Sequence, residues 1–359
     1  MTALAGHLRR LIAADGPIPV SRYMAEALGH PEHGYYVTRD PLGRDGDFIT
    51  APEISQMFGE LIGLWCVDLW QRLGAPGRLQ LLELGPGRGT LMADALRAAR
   101  VRPDFGAAVA VHLVETSPAL TALQQDRLRG HDVTWHQSLE SVPPGTIVAI
   151  ANEFFDALPV RQFERREASW HERLVAVRDD RLGFVLAPTP LSPKLLPASL
   201  AAGPVGSTFE IAPARQAVMT ALTERIARHG GAALVIDYGH ARSGSGDTLQ
   251  AVKRHAYHDV LSDPGEADLT AHVDFEALAE AASAAGGKAH GPLSQGAFLG
   301  ALGIDSRADR LAAGSPEKAA EIRQARDRLV AAAEMGRLFK VLAVTRPDFG
   351  APAGFETAP

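Results

Sequence analysis

The chain has one cysteine, Cys66, in 359 residues. No internal disulfide can form, and a reducing compartment fits that usage. Cys66 sits in the apolar run Leu61 to Leu69 and reads as a core residue rather than a nucleophile. No block of Lys and Arg is present and the formal charge is −6, which argues against nucleic acid and against a membrane surface as partners. No stretch reaches the roughly 18 uncharged apolar residues that a membrane span needs. A G-x-S-x-G elbow and a P-loop lysine are both missing, so triad hydrolysis and nucleoside triphosphate hydrolysis find no support. No internal repeat is evident.

What is present is an ordinary globular composition, 46% apolar and 22% charged. The length suits a core with insertions, or one to two domains. The stretch LQLLELGPGRGTLMADALR, from Leu79 to Arg97, organises the rest. Leu79 to Leu84 is an apolar run of the length of a buried parallel strand. Gly85, Pro86, Gly87, Arg88 and Gly89 form a tight turn, and Thr90 reads as the N-cap of a following helix. Strand, glycine turn and helix make the nucleotide-binding corner of a doubly wound α/β fold.

The pattern is E-x-G-x-G-x-G, not G-x-G-x-x-G. A dinucleotide would set its pyrophosphate at the helix N-terminus, and Glu83 just before the turn would repel it. S-adenosylmethionine carries a sulfonium and an ammonium and no phosphate, so an acid there suits it better. Glycines let the backbone approach such a ligand without Cβ clashes. One strand later, Val109 to Val114 is apolar and Glu115 closes it, where a carboxylate can accept both ribose hydroxyls. The competing readings are a nicotinamide-binding Rossmann domain and glycines that serve only the turn.

Along the chain, Leu4, Leu8, Leu11 and Ile12 mark one face of a first helix stopped at Gly16-Pro17, with a targeting peptide as the other reading of those residues. A second helix is predicted from Pro19 to Ala27, and one long helix from Glu53 to Leu73 after the loop PLGRDGDFITAPEIS. Further strands are predicted at Val133 to His136, Thr146 to Ala151, Ala232 to Asp237 and Leu338 to Thr345. Arg161 to Leu186 reads as an antiparallel hairpin insertion, Leu191 to Ser207 as irregular and Ala241 to Ala271 as a long polar loop. Helices are predicted at about Ser306 to Ala312 and Pro316 to Glu334. This organisation divides the chain into a helical region with a cofactor-covering loop (1–78), a core (79–345) with insertions at about 160–210 and 241–272, and a loose tail (346–359).

The chemistry-bearing groups all follow strands, where ligands sit in open α/β sheets. Asn152, Glu153 and Asp156 come directly after one strand. Two carboxylates there could clamp a guanidinium and orient its lone pair for an in-line methyl transfer. Helix capping by Asn152 and Asp156 is the plainer reading. Phe154, Phe155 and Leu158 read as packing, with Phe154 also a candidate for a substrate wall. Asp237, Tyr238 and His240 follow the next strand, and His240 could accept a proton near neutral pH or be a satisfied loop histidine. His255, His258 and His272 lack a tight ligand motif, so no metal is expected.

The segments GDFITAPEISQMFGELIG (Gly46 to Gly63), LLELGPGRGTLMADALR, VETSPAL, ANEFFDALPVRQF, IDYGH and GDTLQA with ADLTAHVDF resemble the MidA family. The resemblance runs from about Gly16 to Val344, and TAPEISQMFGE and NEFFDALPV are its most specific parts. It implies a Rossmann-like class I methyltransferase core: a seven-stranded, mostly parallel sheet with a helical N-terminal region, an inserted hairpin and substrate-side loops. It implies S-adenosyl-L-methionine as cofactor and symmetric dimethylation of an arginine on the quinone-side subunit of NADH:quinone oxidoreductase (complex I) during assembly. Under it, Glu83, Gly85, Pro86, Gly87, Gly89, Thr90, Glu115, Thr116, Ser138, Leu139, Asn152 and Thr50 bind cofactor. Asp47, Phe48, Glu53, Gln56, Phe154 and Tyr238 shape the substrate side, and Glu153, Asp156, Asp237 and His240 are the candidates for catalysis. The partner implied is a protein substrate, with a homodimer left open. A bacterial cytoplasmic setting is expected, or the mitochondrial matrix in a eukaryote. A methyltransferase of another target and a cofactor-binding assembly chaperone without turnover stay as alternatives.

Overall fold

The computed structural model describes residues 2–38, 46–47, 49–167, 169–192 and 203–356. Phe48 lies outside the described residues, as does the middle of the stretch read as irregular. The chain forms two compact units: Met1–Phe48 with Asp156–Gln216 and Arg242–His272, and Ile49–Phe155 with Ala217–Ala241 and Val273–Pro359. This differs from the division expected from sequence. The N-terminal helices, the hairpin insertion and the polar loop share a core of their own, which no local pattern announces.

In the second unit the described residues build an eight-stranded mixed sheet. Its main strands are β1 (Leu79–Leu84), β2 (Val109–Val114), β3 (Val133–His136), β4 (Ile147–Asn152), β5 (Gly231–His240), β6 (Lys288–Ser294) and β7 (Phe339–Thr345). Their spatial order is β6-β7-β5-β4-β1-β2-β3. β5, β4, β1, β2 and β3 are parallel neighbours, while β7 runs antiparallel to both β5 and β6. Val273–Asp274 adds a short parallel pairing at the end of β5. Every residue of β1 and β4 is buried, as central parallel strands covered on both faces require. The strand order reverses between β1 and β4, so their carboxyl ends open the crevice where such sheets bind ligands.

Three helices position that crevice: α1 (Ala51–Ile54), α2 (Gln56–Arg72) and α3 (Thr90–Ala99). The single helix expected from Glu53 is broken at Ser55, whose extended backbone (φ −161°) makes it the N-cap of α2, with its hydroxyl accepting from Met57 N at 3.2 Å. α2 lies close on α3 because Gly59 and Gly63 carry no side chain. A Cβ at Gly63 would stand 2.5 Å from Ala95 Cα. The cap of α3 is Gly89 (φ +75°), not Thr90, because the turn ends in the left-handed region that glycine adopts at least cost.

Strand β6 and the helix Gln295–Ala301 were not expected; the polar stretch around Gly291-Pro292 hides the alternation. The tail is fastened rather than loose: Trp65 Nε1 donates to Ala353 O at 3.1 Å, and the Phe355 ring packs 5.3 Å from that of Phe298.

In the first unit the expected hairpin is present as Arg161–Arg166, Ser169–Arg178 and Arg181–Pro190, flanked by Ile18–Pro19 and Thr208–Ile211. The polar loop holds a three-stranded sheet, Gln250–Lys253, Ala256–His258 and Asp268–Thr270. Strands that short leave too few residues for a period of two to show. Leu8, Tyr23, Met24, Val175 and Leu269 centre the core of this unit.

Candidate functional site

The carboxyl ends of β1, β2, β4 and β5 bring together most of the expected site residues of the second unit. Glu83, on β1, is 2% exposed, and its Oε2 has no hydrogen-bond partner among the described residues. Burial, reinforced by the nearby Glu115 carboxylate, pushes its pKa up to about 8. Beside it at the end of β4, the buried Asn152 Oδ1 is likewise without a partner. Two enclosed acceptors that lack donors are costly, and they call for a ligand that brings N–H groups or positive charge. S-adenosylmethionine, with its ammonium and sulfonium, fits that donor demand; a pyrophosphate does not. The turn between β1 and α3 is left-handed at Gly85 (φ +61°), Gly87 (φ +54°) and Gly89. A Cβ at Gly85 would come within 2.9 Å of the Phe154 ring, which therefore closes over the bare backbone.

Glu115 behaves differently. Its Oε1 accepts from Ser117 N at 2.8 Å and its Oε2 from Gln124 Nε2 at 3.0 Å. Burial raises its pKa while these bonds and one from Thr116 N pull it down. Gln124 also donates to Gly87 O at 2.7 Å and accepts from Trp135 Nε1 at 2.9 Å. Gln124 thus ties the glycine turn to the acid at the end of β2. Nothing in the run around it singles it out, and the pairing spans 37 residues. Thr116 is exposed, and Ser138 and Leu139 follow β3 at the same edge of the sheet.

Glu153 leaves β4 with φ +49°, a conformation costly for a residue with a Cβ and typical of functional sites. Its Oε1 accepts from Ala51 N at 3.0 Å and from Asn152 Nδ2 at 3.2 Å. Asp237 is fully enclosed, with Oδ2 accepting from Phe155 N at 3.0 Å and Oδ1 from Tyr238 N at 2.9 Å. It clasps the chain leaving β4 to the end of β5. Tyr238 stands edge-on to Phe339, with ring centroids 5.5 Å apart. His240 is half-buried, 3.7 Å from Asp274. Thr50 precedes α1 without a side-chain cap bond, Glu53 accepts from the Thr90 hydroxyl, and Gln56 is exposed.

Asp47 and Asp156 belong to the first unit. Asp47 Oδ2 accepts from the Tyr35 hydroxyl and Oδ1 from Arg254 N, both at 2.6 Å, so it fastens the turn of the Gln250–His258 hairpin. Asp156 is buried and its Oδ1 accepts from Ala157 N at 2.9 Å. The chain at Asp156 is held by the buried Arg215, which donates to Asp156 O, Ala271 O and His272 O. Arg215 escaped the sequence reading because these three acceptors are main-chain carbonyls. His258 stands 3.5 Å from Asp263, while His255 and His272 are held through main-chain N–H groups.

One other group, His7, Glu26 and His30, has side-chain atoms within 4.8 Å of one another. His30 Nδ1 accepts from Glu32 N and His33 N, so the neutral ring carries its hydrogen on Nε2. Arg22 Nε already donates to Glu26 Oε1 at 2.7 Å. Both facts oppose metal ligation there.

Comparison with known proteins agrees with this geometry. Residues 61–293 match a family described as S-adenosyl-L-methionine-dependent methyltransferases. A Drosophila melanogaster protein named as a mitochondrial protein arginine methyltransferase, NDUFAF7 homolog, is 40% identical over 95% of this chain and 84% of its own length. The Homo sapiens protein of that name is 38% identical over 96% of this chain and 83% of its own. A crystal structure from Burkholderia thailandensis, bound to S-adenosyl-homocysteine, superposes with a TM-score of 0.86 at 32% identity, covering 99% of this chain and 95% of that one.

Proposed function

The chain belongs to this family of S-adenosyl-L-methionine-dependent methyltransferases, and from that premise we propose that it methylates a protein arginine. The acceptor in this reading is an arginine on the quinone-side subunit of NADH:quinone oxidoreductase, dimethylated symmetrically during assembly of the complex. The observation that carries the reading is the group of polar side chains at the switch point of the sheet: Glu83 and Asn152 with acceptors unmet among the described residues, and Glu153 held in a strained backbone next to Asn152. Two relatives, each near 40% identical over almost the whole chain, carry the name protein arginine methyltransferase. In this reading the setting is a bacterial cytoplasm, or the mitochondrial matrix in a eukaryote, where the curated relatives are named as mitochondrial.

Glu83, Asn152, Glu115 and the glycine turn would hold the donor. When bound, S-adenosyl-L-methionine supplies its methyl group as an electrophile on a sulfonium. Glu83 would release its proton to solvent on pairing with a positively charged group of the donor, which would turn a costly buried acid into a paired one. Glu115 would accept from the ribose hydroxyls with the lone pairs that Ser117 N and Gln124 leave. Glu153 would bind the acceptor guanidinium, turn one nitrogen toward the methyl group and take the N–H proton as the C–N bond forms and the donor's methyl C–S bond breaks, with S-adenosylhomocysteine as the leaving group. Asp237 holds Glu153's neighbourhood rigid through Phe155 N. Incubation with labelled S-adenosylmethionine and the purified subunit, followed by mass spectrometry, should find dimethylarginine. Absence of transfer by folded, donor-bound enzyme would refute the arginine assignment.

A further inference from the structure

We propose that Glu53 is a positioning residue for the donor: it braces the start of helix α3 from outside, where the glycine at the N-cap offers no side chain. The N-cap of helix α3 is Gly89, which has no side chain to cap it. Thr90, the first helical residue, donates its hydroxyl to Glu53 Oε1 and accepts from Arg127. Glu53 Oε2 stands 4.0 Å from Arg88 of the turn itself. A carboxylate beside a helix N-terminus is also favoured by the partial positive charge there.

Arg127 ends the helix Pro118–Arg127, whose Gln124 holds Gly87 O and Glu115. The turn is therefore supported on two sides, by Gln124 through the main chain and by Glu53 through Thr90 and Arg88. The element that carries Glu53 is a single helical turn, Ala51–Ile54, isolated from α2 by extended Ser55. Of its four residues only Ala51 is buried. Its main chain does a second task, since Ala51 N donates to Glu153. One short element thus holds the donor turn by a side chain and the acceptor-side acid by a peptide group. The Glu53 carboxylate is spent on Thr90 and Arg88, which replaces the substrate-facing role expected from sequence.

The inference rests on the donor site and not on which residue is methylated, so the test uses S-adenosylhomocysteine binding alone. Calorimetric titration of the full chain should show Glu53→Ala weakening affinity about tenfold, the scale of one charge-assisted hydrogen bond. Glu53→Gln can still accept from Thr90 and should recover most of that loss. Thr90→Val should weaken affinity too, and the double variant Glu53→Ala/Thr90→Val should fall no further than about twofold below the weaker single, because both remove one shared link. Should Glu53→Ala fail to fold, the same cycle runs with Glu53→Met, which keeps the length of the side chain and removes the acceptor, and Thr90→Val. Unchanged affinity in Glu53→Ala, no recovery in Glu53→Gln, or fully additive losses in the double variant would each overturn the role.

Discussion

Glu83 and Glu115 close neighbouring parallel strands, both buried, both of one residue type, and they live in opposite circumstances. Glu115 is served by Ser117 N and Gln124, and is a finished part of the fold. Glu83 has an enclosed oxygen with no donor and a pKa near 8, and is finished only by a ligand. A protein tolerates an unmet buried acceptor where function uses it. The difference separates residues that build the crevice from those that wait in it; Glu153, served by Ala51 N and Asn152 Nδ2, is set apart instead by its strained backbone at φ +49°.

That comparison can be broken most sharply at Glu153. Glu153→Gln should lower methyl transfer by about a hundredfold or more, the usual scale of losing a positioned acid–base group, while S-adenosylhomocysteine affinity stays within about twofold. Single-turnover transfer and a binding titration on the same sample check both halves. Glu83→Gln should do the reverse, weakening the donor by about ten- to a hundredfold. An unweakened donor would place Glu83 with Glu115 as a merely structural acid.

Glu115→Ala should cost the unliganded protein about 1–3 kcal/mol, since it leaves the Ser117 N–H and the Gln124 amide without their acceptor. Urea unfolding measures this, and Glu83→Gln should show no such loss. The smallest effect is the pH slope. Because the folded pKa of Glu83 is raised, the folded state holds a proton that the unfolded chain has released between about 4.5 and about 8. Unliganded stability should fall as pH rises through that window, by on the order of 1 kcal/mol per pH unit at mid-window, and Glu83→Gln should flatten the decline. A slope unaffected by the substitution would remove Glu83 as its source.

Which parts could be read from sequence follows from the reach of each interaction. The strand, turn and helix from Leu79 to Ala99 were legible because their signals are contiguous: an apolar run, a glycine cluster, a helical period. The end of the fold was harder. β6 is largely polar and interrupted by Gly291-Pro292, and its pairing with β7 makes it a strand. The break at Ser55 was missed because the apolar periodicity runs on through it from Glu53. In the site, Glu83 and Glu115 could be found from their places at strand ends. Gln124, Arg215 and the enclosure of Asp237 could not, since each is defined by partners far along the chain or by main-chain groups that every residue shares.

The central claim is that Glu83 stays protonated until a cationic donor replaces its proton. The most direct measurement is the heat of S-adenosylmethionine binding near pH 7 in buffers of different ionisation enthalpy, for the native chain and for Glu83→Gln. The account expects about one more proton released by the native chain than by the variant, because a carboxyl with its pKa at about 8 ionises on pairing. Equal proton release by the two proteins would contradict it.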